Sequence, residues 1–329
     1  MIISGLFCYP PHRNRPGVGG CRPDPAKSRI FAAMTMLSTP PQSVAAPILP
    51  PGVKLLRLQF RLLAAISTEW AFRAAWRLFT TPRRLPEKAW EAAVLADAHR
   101  FAVPGPTGAL AAYEWNSAGA RMVLLVHGWE HRASFWGVLV RALVAADYRV
   151  VALDAPAHGA SEGRRLTLPA YVRAVQAVAD TLGPLHAVVA HSLGGATVVG
   201  GPVHFNAATG GGLPRLVLLA VPGSTPAVAR RFADMLGLPP AVLARMSRYI
   251  REQHGRDAES FSLTQAGPVF PVGRALLLHD EHDESIPFAE ARELAAAWPD
   301  LEFGATSGLG HNRIMREPAV LARIVMFLS

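Results

Sequence analysis

At 329 residues the chain is long enough for one large domain, or one domain with an appendage. With half its residues hydrophobic and 17% charged, it can build a sizeable core. Its formal charge of +9 is confined to the first 100 residues, which carry 14 basic and 5 acidic side chains against 19 of each in the remainder; beyond residue 100 there is no electrostatic reason to expect nucleic-acid binding. The two cysteines, Cys8 and Cys21, both lie near the start, which excludes a disulfide scaffold and a catalytic thiol in the core.

Residues 1–53 are rich in Pro, Gly, Arg and Ser without a sustained period, and read as disordered or as upstream of a true start at Met34 or Met36. Met1 to Tyr9 has no positive n-region, and Lys27-Ser28-Arg29 ahead of Ile30 to Leu37 makes only a short export signal. No stretch of about 18 uncharged apolar residues exists to span a membrane. The expectation is a cytoplasmic protein, with export or peripheral membrane attachment as the alternatives. Only Lys27, Lys54 and Lys88 are lysines among 33 basic residues, a bias that resembles a GC-rich bacterial genome.

Lys54 to Phe79 is predicted helical, ending before Thr80-Thr81-Pro82. Arg57/Arg61 and Arg73/Arg77 are each four apart and stack on helix faces. At about 100° per residue the first pair lies well round the cylinder from the second, so the apolar face drifts and Ser67-Thr68 is the place for a division into two helices. One reading is a basic interfacial helix on anionic lipid. The other is a helix packing its Leu, Phe and Trp residues on the main domain, which is favoured because Trp70, Phe72 and Trp76 do not share one narrow face.

From about Arg100 short β-rich runs alternate with helices, the pattern of an α/β fold with a mostly parallel central sheet and helices on both faces. His99 to Val103 and Ala109 to Trp115 form an opening hairpin. Strands follow at Met122 to Val126, Arg149 to Leu153, His186 to Ala190, Leu216 to Val221, Ala275 to His279 and Leu301 to Ala305. Helices are predicted over Ser134 to Ala145, Leu168 to Thr181, directly after Ala190, and over Phe288 to Ala297 and Arg313 to Leu328. Residues 225–273 interrupt the alternation and read as a small helical cap inserted after a strand. The division is thus 1–53, 54–99 and 100–329, the last carrying the cap. Phe232, Met235, Leu236, Leu243 and Met246 in that cap fit either an apolar acyl pocket or plain packing against the sheet.

The strand ending at Ala190 opens into His191-Ser192-Leu193-Gly194-Gly195. A serine hydroxyl is a poor nucleophile unless it is exposed, held, and within reach of a base. A sharp strand-to-helix turn does the first two, and needs small neighbours where the backbones come close; Ala190 and Gly194 supply them. The segment resembles the Gly-x-Ser-x-Gly nucleophile elbow of the α/β-hydrolase family, with Ala190 in place of the first glycine.

Other segments carry the same resemblance in the family's order. His127-Gly128-Trp129-Glu130 follows a strand, as the family's oxyanion loop does; the resemblance assigns the backbone amides of Trp129 and Leu193 as oxyanion donors and leaves the His127 side chain a structural role. Asp154-Ala155-Pro156-Ala157-His158-Gly159-Ala160-Ser161 matches a family strand end that shapes the loop beside the site. Asp154 and His158 are poor candidates for catalysis because both precede the serine, whereas the family's order is serine, acid, histidine. Asp283-Glu284-Ser285-Ile286-Pro287 fits the family's acid loop and makes Asp283 the candidate acid, with Asp280 and Glu284 as alternatives. His279, Asp280, His282 and Asp283 also invite a metal reading, which the family pattern disfavours. Of 12 histidines only His311, in Gly308-Leu309-Gly310-His311-Asn312, lies beyond the acid, and the glycines let its loop reach the serine. His131, His191, His204 and His254 have no comparable context and read as structural or solvent-facing.

The resemblance covers about two thirds of the chain and implies a serine hydrolase with Ser192, His311 and Asp283 as its triad, acting on a small-molecule acyl substrate without metal, nucleotide or flavin. An ester is the expected substrate; thioester or amide cleavage and acyl transfer are its rivals on the same residues. A dehalogenase or epoxide hydrolase is disfavoured because their elbow carries Asp where this chain has Ser192. A non-catalytic binding protein on the same scaffold is the rival of another class.

Overall fold

Apolar runs without alternation, such as Val123-Leu124-Leu125-Val126 and Ala187-Val188-Val189-Ala190, suit strands covered on both faces. The computed structural model describes residues 51–201, 203–206 and 213–329; the expectations for residues 1–50 lie outside the described residues. In chain order the elements are α1 (Pro51–Ile66), α2 (Thr68–Thr80), α3 (Ala89–Ala96), β1 (His99–Gly105), β2 (Gly108–Trp115), β3 (Arg121–Val126), α4 (Gly137–Ala145), β4 (Tyr148–Leu153), α5 (Leu168–Leu182), β5 (Ala187–His191), α6 (Leu193–Gly200) and β6 (Arg215–Leu219). They continue with α7 (Thr225–Leu236), α8 (Pro240–His254), α9 (Leu263–Ala266), β7 (Arg274–Asp280), α10 (Phe288–Ala297), β8 (Leu301–Thr306), α11 (Gly310–Arg313) and α12 (Pro318–Leu328).

The strands form one sheet in the order β1-β2-β4-β3-β5-β6-β7-β8. β2 alone runs against the direction of the other strands, pairing antiparallel with β1 and β4; from β4 to β8 every pair is parallel. Side chains alternate between the two faces, so each buried strand feeds two cores. Leu124, Val126, Val188 and Ala190 meet Tyr171 and Val175 of α5 and Leu294 of α10 on one face. Val123, Leu125, Ala187 and Val189 meet Leu139 and Leu143 of α4 and Ile324 and Phe327 of α12 on the other. This is the expected α/β architecture, with helices on both faces of a mostly parallel sheet.

A third apolar cluster lies outside the sheet. Phe60 of α1, Phe72 and Ala75 of α2, Phe232 and Leu236 of α7, and Val242 and Met246 of α8 pack together. The segments 51–80 and 225–254, far apart in sequence, thus share one small core. The rest of the insertion belongs elsewhere: α9 packs against α10 in the helix layer of the sheet.

One local feature follows the sequence expectation and two depart from it. The helical stretch predicted over 54–79 divides at Ser67-Thr68 as expected, because Ser67 adopts an extended conformation and its hydroxyl accepts the Trp70 amide at 3.3 Å, capping α2. The closing helix predicted from Arg313 is also two, α11 and α12, since Pro318 lacks an N–H and suits a first turn better than a helix interior. Helix α3 was not anticipated; it is short, and Glu91 supports its start by accepting the Lys88 amide at 2.8 Å. Helix α1 satisfies neither earlier reading alone: Val53 and Phe60 are buried, whereas Leu55, Leu58, Leu62 and Ile66 are exposed. Among the described residues no helix is long and apolar enough to cross a membrane.

Phe72 holds the third cluster together, with its ring 5.3 Å from that of Tyr249 and the Arg245 guanidinium 4.5 Å above it. Phe72→Ala is expected to lower unfolding free energy by about 3–5 kcal/mol, measured by urea denaturation followed by tryptophan fluorescence. A change below about 1 kcal/mol would show that α2 and α8 are not held by this contact.

Candidate active site

The turn between β5 and α6 puts Ser192 at φ 52° and ψ −121°, outside the regions that side-chain-bearing residues normally populate. Such a conformation costs on the order of 1–3 kcal/mol and persists only where the surroundings dictate it. Here the Ser192 amide donates to the Leu219 carbonyl of the adjacent strand at 3.0 Å, and the Ser192 carbonyl accepts the Gly195 amide at 3.0 Å. The backbones approach too closely for side chains at two neighbours. A Cβ on Gly194 would stand 2.3 Å from the Val126 carbonyl oxygen, and one on Gly128 would stand 2.9 Å from the Ser192 Cβ. Ala190, where the family pattern has glycine, is fully buried in the sheet core, and its methyl group is accommodated there.

His311 lies at the start of α11, in the loop that leaves β8. Its Nε2 is 3.0 Å from the Ser192 Oγ and its Nδ1 is 2.8 Å from the Asp283 Oδ2. Asp283 is itself fixed, because its Oδ1 accepts the amides of Ser285 and Ile286 at 2.8 Å each. The structure therefore brings together Ser192, His311 and Asp283, and all three are buried.

The alternative acids have other partners. Asp280 accepts the amides of Leu309 at 3.0 Å and Gly310 at 2.9 Å, and the Thr306 hydroxyl at 2.7 Å, so it pins the loop that carries His311. Burial alone would raise its pKa, but these donors and the Gly310 amide in particular hold it below the ordinary carboxylate value. Glu284 is exposed. His279 is buried and donates through Nε2 to the Ile286 carbonyl at 3.0 Å; burial lowers its pKa, keeping it neutral beside Asp283. His279, Asp280 and Asp283 thus turn to separate tasks, the exposed His282 accepts the Gly308 amide at 3.3 Å, and no group of three or more His, Cys, Asp or Glu among the described residues is placed to hold a metal ion.

Trp129 and Leu193 both border the cavity into which Ser192 opens. Leu193 is the first residue of α6, a position whose amide has no carbonyl within the helix to receive it. The loop bearing Trp129 is heavily braced. Glu130 sits at φ 57°, its amide donates to the His158 Nε2 at 3.0 Å, and its carboxylate takes a two-pronged contact from Arg83 at 2.9 and 2.5 Å. Arg84 bonds the carbonyls of Ala157 at 3.2 Å and Ser161 at 2.6 Å in the neighbouring loop. The short segment after α2 thereby straps both loops beside the serine.

Asp154 and His158 lie away from the Ser192–His311 pair. Asp154 accepts the amides of Ala133 at 2.7 Å and Ala160 at 2.8 Å; His158 donates to the Pro156 carbonyl, and burial pushes its pKa down to about 4. The His127 ring accepts the Ala155 amide at 2.9 Å and is kept neutral by burial, a structural role. His191, fully buried, bonds the His311 carbonyl at 3.0 Å and stacks on His131, which stacks in turn on Phe135. His204 and His254 are exposed. Sequence reasoning missed Arg83, Arg84, Asp280 and His191 as site-shaping residues. Asp280 and His191 each adjoin a recognised motif, whereas the partners of Arg83 and Arg84 lie 47 or more positions away and leave no local mark.

Above Ser192 lies a largely apolar cavity of about 260 Å³. Its walls include Trp76 and Phe79 of α2, Leu168 of α5, and Phe232 and Met246 of the insertion, with Ser192 and Trp129 at the reacting end.

A model of the alpha/beta hydrolase family matches residues 123–324. A serine hydrolase-like protein of Danio rerio is 35% identical over 103 residues, covering 30% of this chain and 31% of that protein's length. Among solved structures, an esterase of Pyrococcus furiosus superposes with a TM-score of 0.57 at 17% identity, over 75% of this chain and 98% of that one. The thioesterase domain from the curacin biosynthetic pathway gives 0.51 at 16% identity, over 70% and 99%. At such identities the superpositions speak for the fold alone.

Two expectations concern the bracing. Arg83→Ala leaves the largely buried Glu130 carboxylate without its guanidinium and should cost about 3 kcal/mol in urea unfolding; the Arg83→Ala/Glu130→Ala pair should cost less than the sum of the single changes. Additive effects would mean that the two side chains are not coupled. For His158, the folded pKa of about 4 lies below the ordinary 6.5, so the unfolded chain takes up a proton that the folded one refuses. Its contribution to stability is present above pH 6.5 and is lost progressively as pH falls to about 4. Unfolding free energy measured across that window should drop, and His158→Gln should flatten the drop; an unchanged slope would contradict this role.

Proposed function

Because the chain belongs to the alpha/beta hydrolase family, we propose that it is a serine hydrolase that cleaves a carboxylic ester through an acyl-enzyme intermediate. The observation that carries this reading is the unbroken hydrogen-bonded series from Ser192 through His311 to Asp283, at 3.0 and 2.8 Å, with the serine opening into an apolar cavity.

Ser192 attacks the ester carbonyl as His311 Nε2 takes the hydroxyl proton. Asp283 holds the proton on Nδ1, which fixes the tautomer that leaves Nε2 free to accept, and it stabilises the imidazolium that results. Negative charge gathers on the former carbonyl oxygen only as the tetrahedral intermediate forms, and the amides of Trp129 and Leu193 are assigned to receive it. A single such donor is worth roughly 10²–10³ in rate. The imidazolium then protonates the departing alcohol, and water activated by the same histidine releases the acid. The intact series also speaks against a binding-only scaffold, whose expected mark is a missing member.

The walls of the cavity support an apolar acyl group. A chain lodged between Trp76, Phe79, Phe232 and Met246 gains from each buried methylene, about 0.8 kcal/mol apiece. The insertion and α2 therefore determine which acyl group is accepted, while the loops at the strand ends perform the chemistry.

Ser192→Ala is expected to abolish hydrolysis of p-nitrophenyl butyrate without changing the unfolding midpoint, and Asp283→Asn to lower the rate by about 10⁴. A fluorophosphonate probe should label the wild-type chain at Ser192. Undiminished turnover by Ser192→Ala, or labelling elsewhere, would refute the assignment.

A further inference from the structure

Helix α1 is apolar on two sides. Its inner side is fixed: Val53 and Phe60 are buried, and Arg57 donates from Nη2 to the Asp234 carbonyl at 2.7 Å and from Nε to the Met235 carbonyl at 2.9 Å, at the end of α7. A cation at that end also meets the negative pole of the helix dipole. The outer side is not covered by any described residue. Leu55, Leu58, Leu62 and Ile66 are 59%, 52%, 58% and 73% exposed, and at 100° per residue they fall in a single stripe about 80° wide. Trp70, four residues on in α2, is 58% exposed. Large aliphatic side chains in a continuous stripe on a rigid helix mark a surface made to be covered.

The charges around the stripe decide what covers it. The 16 residues of α1 contain no acidic side chain, and Lys54 and Arg61 border the stripe, both exposed and without an ion pair among the described residues. A second copy docked through the same helix offers these cations no acidic side chain to pair with. Residues 1–50 of the same chain carry 5 basic side chains and 1 acidic, and would bring positive charge to positive charge. An anionic lipid surface answers both features: acyl chains take the leucines and headgroups take the cations. We propose that the outer face of α1 docks on an anionic bilayer, with Leu55, Leu58, Leu62 and Ile66 at the level of the headgroup–acyl boundary.

The docking is independent of the hydrolase reading, and its test does not use activity as its signal. The full chain is sedimented with sucrose-loaded vesicles of phosphatidylcholine alone or mixed with phosphatidylserine. Binding to the mixed vesicles is expected, weakening with added salt. Lys54→Gln and Arg61→Gln should weaken it about fivefold each. Leu58→Ser with Leu62→Ser should weaken it at least tenfold. Both positions are exposed, so these variants should retain the wild-type unfolding midpoint and far-ultraviolet circular dichroism. No binding by the wild-type chain, or binding that the leucine substitutions leave unchanged, overturns the proposal. So does a dimer in sedimentation velocity that the leucine substitutions dissociate without any vesicle binding, which would assign the face to a second copy instead.

Discussion

Ser192 is held in a backbone conformation that a serine avoids when free, and much of the surrounding architecture serves to keep it there. Its amide is tied to the neighbouring strand, its carbonyl to the first turn of α6, and its Cβ faces a position that only glycine can occupy. A strain of on the order of 1–3 kcal/mol is small against the apolar burial of two sheet faces, so the core readily supports it. What the strain provides is direction: it points the hydroxyl out of the strand end toward His311 rather than back into the sheet.

The histidine is held with equal redundancy, by three separate devices. Asp283 holds the ring, His191 bonds the His311 carbonyl, and Asp280 pins the two amides just ahead of it. Only the first of these acts on the atoms that would exchange protons. The other two restrict the loop, which limits the entropy lost when a substrate demands a fixed geometry. Adjacent aspartates three positions apart thus perform unlike tasks, one toward the ring and one toward the backbone.

The sheet was legible because unbroken apolar strands and intervening amphipathic helices each announce themselves within a short window. The residues now brought together at the strand ends stand in local motifs for a related reason: a sharp turn with small neighbours around Ser192, glycines around His311, and a proline-ended loop after Asp283. Boundaries were less legible where one residue decides them, as Pro318 does. Least legible was the segment before residue 100. Arg57, Arg83 and Arg84 pair with groups 47 to 178 positions away, and a single sequence contains no periodicity that reveals such partners. The two readings of α1 do not compete for the same residues, since Val53 and Phe60 turn inward while Leu55, Leu58, Leu62 and Ile66 turn outward.

One wall of the cavity and the strap on the two loops both come from residues 68–84, which precede the region matched by the family model. The lining of the chamber is therefore encoded in two stretches of the gene, one ahead of the family match and one, the insertion, within it. Divergence confined to the earlier stretch would remodel one side of the chamber while leaving Ser192, His311 and Asp283 untouched, and a chain trimmed to the family match would keep those three residues but lose that side of the vessel around them.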